Sequence, residues 1–158
     1  MAKSSTTPHV VCRNKQATFK FELLERLECG LILQGTEVKS LRDNGANLEH
    51  AYARIDRSEL WLIDCHIGPY RYGYAANHDS TRKRKLLLHS REFKKLEPML
   101  KIKGLTLVPV EIRFNERGIA KVVIALARGK TLGDKRQTLK DKEHSREMDH
   151  FSKKRRQN

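Results

Sequence analysis

Residues 107–128, LVPVEIRFNERGIAKVVIALAR, decide the class of fold. The side chains of Val108, Val110, Ile112 and Phe114 alternate with other residues, and a period of two is typical of a half-buried β-strand. Residues 115–118 contain Asn and Gly, which indicate a turn. The turn leads into a second apolar run at 121–128, so the stretch predicts two strands joined by a turn.

The segments before this stretch show the same pattern. Residues 19–33 contain two alternating apolar runs, and residues 52–55 and 60–67 predict a further pair of strands joined around 56–59. Two helices interrupt the strands. Thr36 caps a short one over 36–42. Ser90 caps a second, which carries Phe93, Leu96 and Leu100 on one face and kinks or restarts at Pro98. Many short strands with two helices indicate a small closed or nearly closed β-barrel.

The charge of the chain points to a polyanionic partner. The 158 residues include 33 Lys and Arg against 19 Asp and Glu, a net charge of +14. Because this excess repels itself within a monomer, we expect nucleic acid as the first candidate partner and an anionic membrane as the second. The longest apolar run, 122–127, is too short to span a membrane, and residues 1–9 resemble no secretory signal. We therefore expect a cytoplasmic protein with no membrane partner.

The residues that could hold a metal or carry a reaction form no known motif. Cys12, Cys29 and Cys65 are odd in number and far apart, so we expect free thiols, no disulfide and no metal site. His78 and Asp79 could form an acid/base pair, but adjacent polar residues in a loop rarely do. No nucleophile, phosphate-loop or dinucleotide motif occurs, so we expect no catalysis and no cofactor.

The chain divides into three parts by composition. Residues 1–9 are small and polar, and we expect them to be disordered; residues 10–130 carry the strand pattern. Residues 130–158 hold ten basic and five acidic side chains but few apolar ones, so they cannot offset their ordering entropy alone. We expect residues 131–158 to be a basic tail that is disordered in the free protein and becomes helical when bound, because residues 135–151 contain no Pro or Gly.

Three features of the predicted barrel are candidates for binding RNA. The basic block of residues 82–85 is followed by three leucines that anchor it to the core and so display its charges for phosphate contact. Tyr70, Tyr72 and Tyr74 could stack on unpaired bases, although packing over one end of the barrel is favoured. The strand period places Glu28 outward, where a solvent-exposed carboxylate with no role is the simpler interpretation.

Composition leaves three functions open: binding of structured RNA, general binding of single-stranded RNA by an oligonucleotide-binding barrel, and RNA modification. The first should prefer folded RNA over unstructured oligomers. The second should prefer unstructured oligomers and change tyrosine fluorescence. The third should lose function on replacement of one His or Asp while binding persists.

A series of motifs, in order, closely resembles the SsrA-binding protein (small protein B) family. They are NKQA (14–17), ECGLILQGTEVKSLR (28–42), AYARI (51–55), ELWL (59–62), HIGPY (66–70), TRKRKLLLH (81–89), KGLTLVPV (103–110), ALARGK (125–130) and DKR (134–136). The resemblance covers about residues 12–147. It implies an oligonucleotide-binding type (OB-like) β-barrel with two or three peripheral helices, and a non-catalytic adaptor that binds the tRNA-like domain of transfer-messenger RNA (tmRNA).

The resemblance also implies partners and site residues. The adaptor would deliver tmRNA to stalled bacterial ribosomes for trans-translation, with elongation factor Tu on the same RNA. Glu28, Leu87 and His89 match positions tied to tmRNA binding, with His89 standing where some members have Asn. The basic block Arg82, Lys83, Arg84 and Lys85 would join them. The tail residues implied at the decoding site and the empty message channel are Asp134, Lys135, Arg136, Lys140 and His144.

Overall fold

The computed structural model describes residues 9–156, which contain seven strands and four α-helices. The strands are β1 (His9–Arg13), β2 (Phe21–Leu31), β3 (Tyr52–Asp56), β4 (Glu59–Ile63), β5 (Arg84–Leu87), β6 (Leu105–Phe114) and β7 (Ala120–Gly129). The helices are α1 (Ala17–Lys20), α2 (Gly35–Asn44), α3 (Ser90–Leu100) and α4 (Leu132–Arg156). The prediction of a mainly β fold with several helices is confirmed.

The strands form one antiparallel sheet whose pairings return to their starting point. Its order is β1-β6-β3-β4-β5-β2-β7, and β7 also pairs with β6. The six strands from β2 to β7 therefore make a closed circuit, while β1 pairs with the end of β6. The apolar residues of β7 are buried almost without interruption, because one face of the strand packs in the main core and Ala127 on its other face packs against Ala17 of α1 and Val108 of β6.

The main apolar core collects side chains from all six strands of the circuit. β2 contributes Leu27, Cys29 and Leu31, and the other strands contribute one to four buried residues each. Leu41 of α2 and Leu96 of α3 are buried in the same cluster. The alternation that predicted the strands is therefore the alternation between this core and the outer surface.

Strand β6 contains a proline within its paired region, and its register explains why this is tolerated. Its register with β7 shifts between Pro109 and Glu111, so a β-bulge lies next to the residue that lacks an N–H. The side-chain amide of Asn14 donates to the Pro109 carbonyl at 3.1 Å and to the Leu48 carbonyl at 3.0 Å. The strand after the bulge keeps the predicted alternation through Ile112 and Phe114, which are both buried.

Several predicted boundaries differ from the structure. Helix α2 begins at Gly35 rather than being capped by Thr36, because the Gln34 and Glu37 side chains form a reciprocal capping box. Helix α3 has His89 rather than Ser90 at its N-cap position, and it continues through Pro98 for two residues although proline supplies no N–H to the carbonyl four residues before it. Strand β4 ends at Ile63, four residues earlier than predicted. His9 belongs to β1; the remainder of the predicted disordered N-terminus lies outside the described residues.

The tail that we expected to be disordered in the free protein is one continuous helix, α4, in the structure. Its first turn is closed by Thr131 and Asp134, and nearly all its described side chains are exposed. The sequence after Gly133 contains no Pro or Gly, and this composition favours a helix. The order of this segment in the free protein remains a prediction. No helix within residues 9–156 is both long and apolar enough to cross a membrane.

Candidate nucleic-acid interface

Glu28 lies on the outer face of β2, as the strand period predicted. Its neighbours Leu27 and Cys29 are buried, whereas its own side chain is 42% exposed. Its carboxylate accepts a hydrogen bond from Arg113 of β6, and Arg113 also approaches Glu111 at 3.6 Å. The bond from Glu28 raises the pKa of Arg113 above its ordinary value. The pair lines a surface cleft of about 310 Å³, so both ends of the ion pair are open to a ligand.

Arg113 is a site residue that the sequence prediction missed. It sits on the polar side of the alternating β6 strand, and that pattern gives no sign of its contact with Glu28, 85 residues away. The strand period places both Arg113 and Glu28 on outer faces, and this was the only sign in the sequence that the two could meet. The pair presents the Glu28 carboxylate as a hydrogen-bond acceptor and the Arg113 guanidinium as a donor to a nucleobase.

Leu87 projects from the outer face next to Glu28. It is 52% exposed, and its partner across the β2–β5 ladder is Gly30, two residues from Glu28. A Cβ at Gly30 would lie 3.3 Å from the Leu87 Cβ, so glycine lets this leucine pack close to β2. The expectation that all three leucines anchor the basic block is therefore wrong for Leu87, because the pleat turns every second residue outward.

His89 follows Leu87 by two residues and is exposed at the N-cap position of α3. Its side chain makes no capping hydrogen bond. The structure thus places Glu28 and Leu87 on the outer face of neighbouring strands, with the exposed His89 two residues after Leu87 at the start of α3.

The basic block does not form a uniform charged surface, and the prediction that all four cations are displayed is wrong. Arg84 is fully buried, and its Nε donates to Glu37 Oε1 at 2.8 Å. Arg82 donates to the same carboxylate, with its Nη2 at 2.6 Å from Oε2. Arg84 also donates to the carbonyls of Cys65 and Ser80. The strand pleat that turns Lys85 and Leu87 outward turns Arg84 inward, where a buried carboxylate meets it.

Glu37 is held as an anion by this network. Burial alone raises the pKa of its carboxyl, but bonds from Arg82, the Gln34 N–H and Arg84 outweigh burial and leave the pKa below its ordinary value. The Gln34 N–H donates to Glu37 Oε2 at 2.7 Å. The network therefore ties the start of α2 to the approach to β5.

The two lysines of the block remain available to phosphate. Lys83 is exposed and forms no ion pair with any residue in the described range 9–156, while Lys85 pairs with Glu59 at the half-exposed surface. Lys83 and Lys85 therefore remain candidates for phosphate contact, Arg82 lies at the margin, and Arg84 is removed from the candidate surface.

The tyrosine loop is more open than predicted. Tyr72 and Tyr74 are 61% and 84% exposed, so packing over the barrel end is wrong for both. Tyr70 is half-buried, with the Lys39 ammonium 5.5 Å from its ring centre. The Asn77 side chain closes the loop by bonding the Tyr70 N–H and carbonyl, both at 2.9 Å. Two exposed aromatic rings on a closed loop are suited to stacking on bases.

His78 has a structural place. Its ring is buried, with Nδ1 3.0 Å from the Thr36 hydroxyl and Nε2 3.1 Å from the Ile67 carbonyl. Asp79 instead bonds the Thr81 N–H and hydroxyl, and these bonds lower the pKa of its carboxyl. The two residues do not form an acid/base pair. No cluster of potential metal ligands occurs among the described residues.

The start of the tail helix is built by residues of the candidate decoding-site motif. Asp134 Oδ2 accepts from the Thr131 hydroxyl at 2.6 Å and from the Thr131 N–H at 3.1 Å, and Thr131 Oγ1 accepts from the Asp134 N–H at 3.3 Å. The bonds from Thr131 lower the pKa of Asp134. Lys130 Nζ bridges the Thr18 carbonyl and the Thr138 hydroxyl, each at 2.9 Å, so the helix begins against α1.

The other tail candidates face outward along α4. Arg136, Lys140 and His144 are exposed and Lys135 is partly so. Strand β7 ends at Gly129 opposite Phe21, seven residues along β2 from Glu28. At about 3.3 Å per strand residue the tail therefore begins roughly 23 Å from Glu28. The structure separates the predicted residues into two sites at opposite ends of β2.

Comparison with known proteins identifies the family. The model of the SmpB protein family matches residues 11–154. The chain belongs to this family. An SsrA-binding protein from a Chelativorans species is 48% identical over 148 residues, which cover 94% of this chain and 95% of that protein. The SsrA-binding protein of Syntrophobacter fumaroxidans is 46% identical, with 94% and 91% covered.

A solved structure gives a similar result. It is described as "tmRNA-SmpB: a journey to the center of the bacterial ribosome", is 49% identical and has a TM-score of 0.65. The match covers 77% of this chain and 85% of that chain. The resemblance inferred from the motifs is therefore confirmed at the level of the family.

Proposed function

We propose that this SmpB-family protein is an RNA-binding adaptor that binds the tRNA-like domain of tmRNA and delivers it to stalled bacterial ribosomes for trans-translation. The observation that carries the proposal is the outer-face group of Glu28, Leu87 and His89, supported by membership of the family. A charged pair, an exposed leucine and an exposed imidazole in fixed order suit a folded RNA that offers base edges and sugars together.

The proposed architecture consists of a barrel and a tail. The closed circuit of strands acts as an OB-like barrel over residues 10–130, and residues 131–158 form a separate basic tail. The tail is disordered in the free protein and becomes a helix on the ribosome, where RNA neutralises its charge.

Two sets of residues share the work. The barrel holds tmRNA through Glu28, Leu87 and His89, with Lys83 and Lys85 contacting phosphates. The tail residues occupy the decoding site and the empty message channel; they are Asp134, Lys135, Arg136, Lys140 and His144. The protein is a cytoplasmic, non-catalytic factor that uses no cofactor, and elongation factor Tu binds the same RNA.

The test measures RNA binding and peptide tagging separately. Labelled tRNA-like domain should bind more tightly than an unstructured RNA of equal length. Leu87→Asp should weaken binding by at least about tenfold, because it places an unpaired anion against RNA. Leu87→Met is the matched control, since it keeps an exposed apolar side chain and should bind within about threefold.

Truncation after Lys130 should leave RNA affinity within about threefold but abolish tagging on stalled ribosomes. Equal affinity for structured and unstructured RNA would instead support the general single-strand binder. Normal tagging by the truncated protein would remove the tail from the proposal.

A further inference from the structure

Trp61 is the one tryptophan of the chain and lies in the middle of β4 on its outer face. Leu60 and Leu62 on either side are buried in the core, whereas the Trp61 side chain is half-buried. Its partners across the sheet are Arg54 of β3 and Lys85 of β5. Proteins that bind single-stranded nucleic acid stack the bases on aromatic rings that lie among cations, and Trp61 lies between two cations on an exposed sheet face.

The ring lines a surface cleft of about 230 Å³ beside the β3–β4 turn. The cleft is lined by Arg54, Asp56, Arg57, Glu59, Trp61, Ile63 and Lys83. Its three cations form no ion pair with any residue in the range 9–156, and within the same range the indole N–H donates to no protein group. The cleft therefore combines an aromatic wall, an open hydrogen-bond donor and three cations without an ion-pair partner in that range, beside the carboxylates of Asp56 and Glu59.

The turn at the edge of the cleft keeps an arginine at some cost to stability. Arg57 and Ser58 are the central residues of a two-residue hairpin turn, and their φ angles are +48° and +60°. Asn-Gly adopts this conformation with less strain, and non-glycine residues at positive φ lower stability. The arginine therefore adds to the cleft a guanidinium that the fold of the hairpin does not require.

The cleft is continuous with the candidate tmRNA surface. Lys85 and Leu87 project from the same side of β5, and Leu87 lies opposite Gly30, two residues from Glu28. A path therefore leads across the outer face from Glu28 over Leu87 and Lys85 to Trp61.

We propose that the Trp61 cleft is a subsite for one unpaired nucleotide of the tmRNA whose tRNA-like domain binds at Glu28 and Leu87. The inference rests on the proposed function and extends it by one position. The base stacks on the indole ring, and Arg54, Arg57 and Lys83 contact the phosphates on either side of it. Asp56 and Glu59 disfavour a phosphate inside the cleft but accept hydrogen bonds from amino groups on a base edge.

Intrinsic fluorescence tests the subsite directly, because Trp61 is the one tryptophan. Titration of the full-length protein with the tRNA-like domain should quench its emission in step with binding, which a labelled-RNA assay measures independently. A fully paired RNA duplex of equal length should bind through charge without the same quenching. Binding of tmRNA without quenching overturns the subsite and leaves the proposed function intact, whereas absence of binding overturns the proposed function.

Paired variants separate stacking from folding. Trp61→Leu should weaken tmRNA binding by about fivefold or more, the range expected for one lost base stack, whereas Trp61→Phe should stay within about threefold of the unmodified protein. Equal affinities of these two variants would overturn the subsite. If Trp61→Leu does not fold, the fluorescence titration of the unmodified protein decides.

The turn offers a second, independent test. Arg57→Asn combined with Ser58→Gly should raise the melting temperature, because it relieves the positive-φ strain, yet should weaken RNA binding. It should also reduce the slope of log affinity on log salt by somewhat under about 1, the change expected for one lost phosphate contact. A stabilised variant with unchanged affinity and salt slope would remove Arg57 from the subsite and overturn the assignment of phosphates to this edge.

Discussion

Arg84 and Lys83 are neighbours in a basic run, yet the structure gives them opposite roles. Arg84→Ala should destabilise the fold without changing the salt dependence of RNA binding, and Lys83→Ala should do the reverse. Arg84 donates to Glu37, to the Cys65 carbonyl and to the Ser80 carbonyl, and its side chain has no exposed surface. Lys83 is exposed and forms no ion pair with a described residue.

The magnitude follows from what each substitution leaves behind. Removing one partner of a buried ion pair costs about 3–5 kcal/mol because the other charge stays buried. Arg82 and the Gln34 N–H still bond Glu37 after Arg84→Ala, so we expect the lower end, about 3 kcal/mol. That loss lowers the melting temperature of a domain of this size by roughly 10 °C. Lys83→Ala should change stability by less than about 0.5 kcal/mol.

Thermal unfolding and salt-dependent RNA binding together decide the assignment. At a temperature where both variants are folded, Lys83→Ala should reduce the slope of log affinity on log salt by somewhat under about 1, and Arg84→Ala should leave the slope unchanged. Arg84→Lys keeps the charge but not the fork of donors, so its stability should fall between the two. A normal melting temperature with a reduced salt slope for Arg84→Ala would refute the buried role.

Three further predictions concern other parts of the molecule. The pKa of Glu37 in the folded protein lies below its ordinary 4.5, so its ion pairs stabilise the fold at neutral pH, and this stabilisation is lost as the pH falls through the folded pKa. The stability of Glu37→Gln, measured by circular dichroism, should therefore decrease less over that pH range than the stability of the unmodified protein. Gly30→Val should push Leu87 off β2 and weaken tmRNA binding while the melting temperature changes by only a few degrees, and unchanged affinity would show that Leu87 tolerates the shift. Asp134→Ala should reduce the protection of residues 131–156 from amide exchange in the ribosome-bound protein, because the bonds between Thr131 and Asp134 that close the first turn of α4 are lost; equal protection would exclude the cap.

The sequence predicted most of the sheet because burial alternates along its strands. Ile112 and Phe114 face the core as the pattern required, and Glu28 faces outward for the same reason. Helix starts were predicted less well. Thr36 is a common cap residue, but the reciprocal bonds of Gln34 and Glu37 satisfy two groups at once, and a residue scale for single caps does not include that pairing.

The roles of the four cations in the basic block could not be predicted from the sequence alone. Four adjacent cations look equivalent in composition, but a strand turns alternate residues to opposite faces, and Arg84 meets Glu37 from 47 residues away. The same limit hid Arg113 and Trp61, whose surroundings come from three different strands. Long-range partners decide whether a charge binds RNA or holds the fold together, and they become visible only when the register of the sheet is known.

The separation of the two proposed sites along β2 has a consequence for how they act together. Glu28 and the start of α4 lie roughly 23 Å apart, and the connection between them is the β2–β7 ladder rather than a flexible linker. Lys130 adds two bonds that fix the first turns of α4 against α1. Because α4 has 25 residues, it extends a further 37 Å or so from that point at 1.5 Å per residue. When the tail becomes helical on the ribosome, the strand from which it emerges therefore sets its direction relative to the barrel that holds tmRNA.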